Sequence, residues 1–251
     1  MRHLLANLVC CLIPRKSLRD KVRTLLYYRP QVREYLRFVR EYARRHNMKR
    51  CKMQIKVGWI CCNLIVILNN KCVFKFPLKS DGRELAAREK RITDALRPIS
   101  PIRIPEMEII PYKDIVVKKY EFARGTLFSE LSPADVASHA QHLAQQIANF
   151  LYVLAKANPK ELRDLKPKPN EVPKFLYGWN HGDIWQNFMV DPKTFDITYF
   201  IDWESANFGS LYPCLYSADY HWVRFDYRGL AIYIMAEYAK LYYNGASVKA
   251  K

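Results

Sequence analysis

His181-Gly182-Asp183-Ile184-Trp185-Gln186-Asn187, followed by Ile201-Asp202-Trp203-Glu204, is the stretch that decides the fold. An Asn stands four residues after the first Asp, and a second Asp stands fifteen residues beyond that Asn, between Ile and Trp. Phosphoryl transfer from a nucleotide needs this set: a carboxylate to take the proton of an acceptor hydroxyl, and two oxygen ligands for the magnesium on the phosphates. The spacing is physically coherent. Asp183 and Asn187 sit in a loop, Phe188-Met189-Val190 leave it as a strand, and Asp191-Pro192-Lys193 turns the chain. Ile197-Thr198-Tyr199-Phe200-Ile201 then returns antiparallel, which brings Asp202 to the same end of the hairpin as Asn187.

An isolated H-x-D triplet is usually part of an ordinary hairpin; the ordered set with apolar strands between is what carries the kinase-type reading. HGDxxxN followed by IDWE resembles the aminoglycoside phosphotransferase and choline kinase group, small-molecule kinases on the protein-kinase fold. The resemblance implies Asp183 as catalytic base, with Asn187 and Asp202 as magnesium ligands. Two positions depart from the family pattern. Gln186 stands where the family usually has Gly, and Tyr212-Pro213-Cys214-Leu215 puts Cys214 where an Asp often supports the loop.

A smaller sheet-based lobe is legible upstream. Lys56-Val57-Gly58-Trp59 and Asn63-Leu64-Ile65-Val66-Ile67-Leu68 read as strands, Asn69-Asn70 as a tight turn, and Cys72-Val73-Phe74-Lys75-Phe76-Pro77 as the returning strand. Lys75 in an apolar strand is costly unless its ammonium reaches an anion. It matches the strand-three Lys that holds nucleotide phosphates in kinases. Arg83 to Leu96 has apolar residues at near-helical spacing. On that helix Glu89 resembles the family Glu that pairs with the Lys, with Glu84 as the runner-up; the bland alternative is a charged surface position. Gly58 and Asn63 echo the family's poor phosphate loop, since no GxGxxG is present. Ile115 to Glu121 reads as a strand leading into Gly125 and resembles the linker that contacts adenine, with Val117 and Tyr120 as the nucleotide-facing candidates. ATP and Mg2+ are the implied cofactors.

The chain has 251 residues, half of them hydrophobic, and no run of about eighteen apolar residues, so no membrane-spanning helix is expected. Seven Cys without a CxxC suit reduced thiols in a cytoplasmic protein. His139-x-x-His142 has no further Cys or His nearby and reads as a helix face. The charge is uneven: residues 1–50 hold fourteen Lys or Arg against Asp20, Glu34 and Glu41, +11 of the formal +17. Leu4, Leu5, Leu8, Val9, Leu12 and Ile13 share a helical face. Leu18, Val22, Leu25 and Leu26 repeat it after Pro14, and Val32, Tyr35, Leu36, Val39 and Tyr42 after Pro30. Three basic amphipathic helices suggest contact with an anionic membrane surface, the alternative being packing on the core. No nucleic-acid motif accompanies the charge, and no cleavage pattern marks a secretory signal. The leader, with Leu5-Ala6-Asn7-Leu8-Val9-Cys10-Cys11-Leu12-Ile13-Pro14, also resembles the N-termini of bacterial enzymes that build surface polysaccharide and lipopolysaccharide.

Downstream, Ala134 to Ala157 reads as one buried helix, Lys160 to Pro173 as a connector, and Leu230 to Tyr243 as a closing helix. Tyr216, Asp219, Tyr220, His221 and Trp222 follow the magnesium loop, where aromatics could cage a choline-like cation or simply form core. The expected architecture is α+β and two-lobed, with a protein-kinase-like fold. It has a basic helical extension (1–50), a sheet lobe (51–120) and a mainly helical lobe (121–251). The expected activity is transfer of the ATP γ-phosphate to a hydroxyl of a sugar or lipopolysaccharide-core acceptor at the inner membrane face. The alternatives are a choline- or aminoglycoside-type small-molecule kinase and a nucleotide-binding pseudokinase.

Overall fold

The computed structural model describes residues 16–57, 62–166, 175–185, 187–212, 214 and 229–247. The chain divides into two compact units. One takes the residues up to Ala87 together with Met107–Phe122, and the other takes Arg88–Glu106 and the residues from Ala123 on. The division places the segment 88–106 with the C-terminal unit, a sharing that a boundary drawn near residue 120 misses.

The first unit is built on a fully antiparallel five-stranded sheet, order β1-β2-β3-β5-β4, of Met53–Val57, Asn63–Leu68, Cys72–Pro77, Met107–Tyr112 (β4) and Ile115–Glu121 (β5). Strict alternation builds its core: Leu64, Val66 and Leu68 of β2 bury with Cys72, Phe74 and Phe76 of β3 on one face. Asn69, Asn70 and Lys71 join the two strands; Asn69 and Asn70 both have positive φ (54° and 51°), and the Lys71 N–H closes the tight turn on the Leu68 carbonyl at 2.9 Å. β4 went unread in the sequence because Pro111 and the flanking acids hide its apolar residues.

Two helices precede the sheet, α1 Lys16–Tyr27 and α2 Arg29–Arg45. They are separate, as expected, with the break at Tyr28; Pro30 itself lies in the first turn of α2, where a missing N–H costs nothing. Tyr35, Val39 and Ala43 of α2 are buried in the core with Leu64, Phe74 and Phe76. The Tyr35 ring stacks on Phe76 at 4.5 Å, and its hydroxyl donates to the Pro77 carbonyl at 3.1 Å. Residues 29–45 are therefore core of the sheet unit, and their apolar face is occupied. The first amphipathic segment, Leu4 to Ile13, lies outside the described residues. Among those that are described, no helix is long and apolar enough to cross a membrane.

The opposite face of the sheet buries Ala86 with Met107 and Val116. Ala86 belongs to α3, Arg83–Leu96, whose bounds coincide with the sequence reading; Asp81 Oδ1 accepts the Arg83 N–H at 3.1 Å and holds its start.

The second unit carries a three-stranded sheet, β6 (Thr126–Leu127), β8 (Phe188–Val190) and β9 (Ile197–Phe200), and a two-stranded one, β7 (Tyr177–Asn180) with β10 (Asn207–Ser210). Its helices are α4 Pro133–Ser138, α5 Ala140–Lys156 and α6 Leu230–Ser247. The expected single helix over 134–157 is interrupted at His139. There the Ser138 hydroxyl and the His139 ring both bond the Asp135 carbonyl beside its ladder partner, the His139 N–H at 3.2 Å, which is shared with the Val136 carbonyl at 3.3 Å. One core gathers α5, α6 and the small strands, with Leu143, Ile147, Phe150, Leu151 and Leu154 of α5 fully buried in it.

Candidate active site

The H-x-D loop follows β7 and is wired from inside. The His181 side chain is fully buried; its Nε2 lies 2.9 Å from the Ile201 carbonyl and its Nδ1 3.4 Å from the Asp183 N–H. A carbonyl can only accept, so the Nε2 carries the proton and the neutral Nδ1 accepts. Burial pushes the His181 pKa down, in keeping with that neutral ring. One imidazole thus ties the segment carrying Asp183 to the segment that leads into Asp202.

Gly182 is required by space. Its φ is +81°, and a Cβ there would stand 2.2 Å from the Ser205 carbonyl oxygen. Its N–H donates to the Cys214 Sγ at 3.1 Å, and that thiol in turn donates to Asn180 Oδ1 at 3.2 Å. Cys214, fully buried and with its pKa pushed up to about 12 by that burial, is a thiol that both accepts and donates. The support of the loop at this position is sulfur. The Cys214 carbonyl also accepts from the Trp185 indole at 2.7 Å.

Asn187 donates its side-chain amide to the Asp183 carbonyl at 2.7 Å, which leaves its Oδ1 as the free acceptor. Its own carbonyl accepts the Ile201 N–H at 2.7 Å, one residue before Asp202. β8 and β9 pair antiparallel with Phe188 opposite Phe200, so Asn187 and Asp202 meet at one end of this hairpin, as the spacing predicts. Asp202 itself has φ 64° and ψ 67°, a left-handed conformation that Asp tolerates better than most residues. It precedes a single helical turn, Trp203–Ser205, whose Trp203 is buried with its indole donating to the Phe200 carbonyl at 2.9 Å.

Two elements hold the hairpin from outside. Gln146 on α5 accepts the Ile197 N–H at 2.7 Å and donates to the Phe195 carbonyl at 3.1 Å, while Phe150 stacks on Phe200 at 4.0 Å. Arg88 on α3 donates to the Ala206 carbonyl at 2.6 Å, just past the Asp202 turn. Neither Gln146 nor Arg88 was singled out from the sequence. His139 stacks on Phe195 at 3.6 Å, and His142 lies 2.9 Å from Asp196, so both serve the same grip.

In the sheet unit, Lys75 (7 % exposed) is buried on β3, on the face opposite Phe74 and Phe76. Lys118 (5 % exposed) is its direct partner in register on β5, so two buried ammonium groups share one face. Lys118 was missed, although the argument applied to Lys75, a cation in an apolar strand, finds it equally well. Val117 points the other way, into the core with Tyr35 and Phe74, so its side chain does not share the face of Lys75. Tyr120 and Asn63 do lie on that face by register. On α3, Glu89 is 1 % exposed, whereas Glu84 is exposed in the first turn. A charged-surface role for Glu89 is excluded by that burial. Gly58, Gln186 and the aromatic run 216–222 lie outside the described residues. Among those described, no three His, Cys, Asp or Glu side chains cluster as a metal site. Magnesium needs no such cluster, since phosphates and water fill most of its octahedron.

No protein-family model matches the sequence, and no curated protein sequence matches it. Solved structures do. The chain is similar to wild-type aminoglycoside 2'-phosphotransferase-IIIa in its GDP complex, with 16% identity, a TM-score of 0.62, and coverage of 81% of this chain and 82% of that one. It is similar to the macrolide 2'-phosphotransferase MphH from Brachybacterium faecium at 14% identity, TM-score 0.59, covering 82% and 83%. The APH(2")-IIa ternary complex with streptomycin and ATP matches at 11% identity, TM-score 0.57, covering 81% of each chain. The chain has the aminoglycoside-phosphotransferase fold.

Proposed function

We propose that the chain is a magnesium-dependent phosphotransferase that moves the γ-phosphate of ATP to a hydroxyl of a small molecule of the aminoglycoside kind. The observation that carries this reading is the 2.7 Å bond from the Ile201 N–H to the Asn187 carbonyl, which puts an Asn amide oxygen and the Asp202 segment together beside the Asp183 loop. In this reading Asp183 accepts the proton of the acceptor hydroxyl as it attacks. Asn187 Oδ1 and the Asp202 carboxylate would hold Mg2+, which when bound would neutralise charge on the phosphates. Lys75 holds phosphate oxygens, and Asn63 and Tyr120 sit on the nucleotide face. His181, Gly182 and Cys214 position the loop. The intact set Asp183, Asn187 and Asp202 argues against a pseudokinase.

The fold neighbours support an aminoglycoside-type acceptor over the sugar or lipopolysaccharide-core acceptor that the leader suggests. One observation favours the latter as a second reading. A formal net charge of +17 attracts anionic acceptors, such as core oligosaccharide at the inner face of the membrane, and repels polycationic antibiotics. A screen of ATP and GTP consumption against aminoglycosides, core oligosaccharide and amino alcohols separates these readings.

The chemistry is tested by two variants. Asp183→Asn keeps the shape and removes the proton acceptor, so turnover should fall on the order of 10²–10⁴-fold while calorimetry shows nucleotide still bound. Near-normal turnover removes Asp183 from the mechanism. Asp202→Asn suits the left-handed backbone and removes only charge; unchanged affinity for Mg-ATP with activity retained would sink the kinase reading.

A further inference from the structure

A cleft of about 550 Å³ opens on the sheet unit between the start of α2 and the β4–β5 turn, lined by Arg29, Pro30, Arg33, Glu34, Arg37 and Lys113. Arg29, Arg33 and Arg37 follow one another at four-residue intervals, so they form one stripe on α2. All three are exposed, and among the described residues none makes an ion pair or side-chain hydrogen bond. The single carboxylate in the cleft is already engaged: Lys113 Nζ lies 2.5 Å from Glu34 Oε1, and that contact holds the Glu34 pKa below its usual range. Four cations against one acid leave an excess of three positive charges in one concave site.

This arrangement opposes the stability of α2. Like charges four residues apart repel, and the first turn of α2 contains no acidic residue to match the helix dipole. The buried stripe of the same helix, Tyr35, Val39 and Ala43, fixes it on the sheet, so the Arg stripe cannot turn away to relieve the repulsion. An anion with several negative oxygens would satisfy all three guanidinium groups at once, and the forked guanidinium suits phosphate.

We propose that this cleft is an anion site for a phosphate-bearing ligand, distinct from the Asp183 hairpin and independent of the phosphotransferase reading. Phosphate of this kind comes either as a soluble polyphosphate or phosphorylated sugar, or as the headgroup of an anionic lipid. α1 beside it exposes Leu18 (51 %) and Tyr27 (49 %), the kind of apolar side chains that enter a lipid interface.

The test uses the full chain and two probes, inorganic pyrophosphate by calorimetry and phosphatidylglycerol vesicles by co-sedimentation, with phosphatidylcholine vesicles as reference. The double variant Arg33→Ala, Arg37→Ala should weaken binding about 25-fold, at roughly fivefold per lost charge. Arg44→Ala with Arg45→Ala removes the same charge from the far end of α2 and should leave binding within about twofold. Exposed Arg→Ala changes keep helix propensity, and circular dichroism checks that both variants fold. Pyrophosphate binding lost in the first variant assigns a soluble ligand, and vesicle binding lost without any pyrophosphate binding assigns a lipid headgroup. Equal weakening in both variants, or binding of neither probe by the unaltered chain, overturns the proposal.

Discussion

At the scale of single residues, His181 links protonation to folding. Its folded-state pKa is depressed from the ordinary 6.5, so the unfolded chain binds the proton first as the pH falls. Stability contributed by the neutral ring is complete above that value and is lost as the pH drops below it, at up to about 1.4 kcal/mol per pH unit. The melting temperature should therefore fall between about pH 7 and pH 5. In His181→Gln, which keeps a donor toward Ile201 but cannot titrate, that dependence should flatten; an unchanged slope would assign it to another group. Cys214 makes a second residue-level expectation. A fully buried thiol with a pKa near 12 is unreactive, so mass-mapped labelling of the native chain at pH 8 should modify exposed Cys51 and spare Cys214 and Cys72 until the chain unfolds. Rapid labelling of Cys214 in the folded chain would contradict its place under Gly182.

At the scale of elements, α2 is the test of what the basic N-terminal segment is for. Val39 is fully buried against the sheet, and Val39→Ala should cost about 2 kcal/mol from lost burial and the cavity left behind. Removing residues 1–45 strips Phe74, Phe76 and Leu64 of their cover, and the shortened chain should aggregate. A truncated chain that remains monomeric with an unchanged melting temperature would return α2 to the status of an appendage. The sequence made this element visible but not its partner, because an amphipathic face suits a sheet and a lipid surface alike. Strands β2, β3 and β5 were legible because apolar and β-branched residues fill them. β7 and β10 were not, since Tyr-Gly-Trp-Asn and Asn-Phe-Gly-Ser contain turn formers held extended only by each other. Within the site, the hairpin set was legible from spacing. The roles of Cys214, Gln146 and Arg88 were not, as each depends on a backbone group distant in sequence.

At the scale of the whole molecule, the charge excess predicts how rate depends on salt. With an anionic acceptor, kcat/KM should fall as NaCl rises from about 50 to about 300 mM, because screening removes long-range attraction. With a polycationic acceptor it should rise over the same range. A salt-independent kcat/KM for both would show that the +17 charge does not act at the acceptor end of the molecule.

The turn between β8 and β9 carries one more consequence, for the order in which the molecule is made. The two proposed metal ligands are fifteen residues apart, and the Gln146 side chain that grips their turn comes earlier in the chain. Closing so short a loop costs little chain entropy, and its partner helix has already been synthesised when it emerges. The hairpin that carries the proposed metal ligands can therefore take shape on the ribosome before the last helix, α6, has emerged to pack beside it.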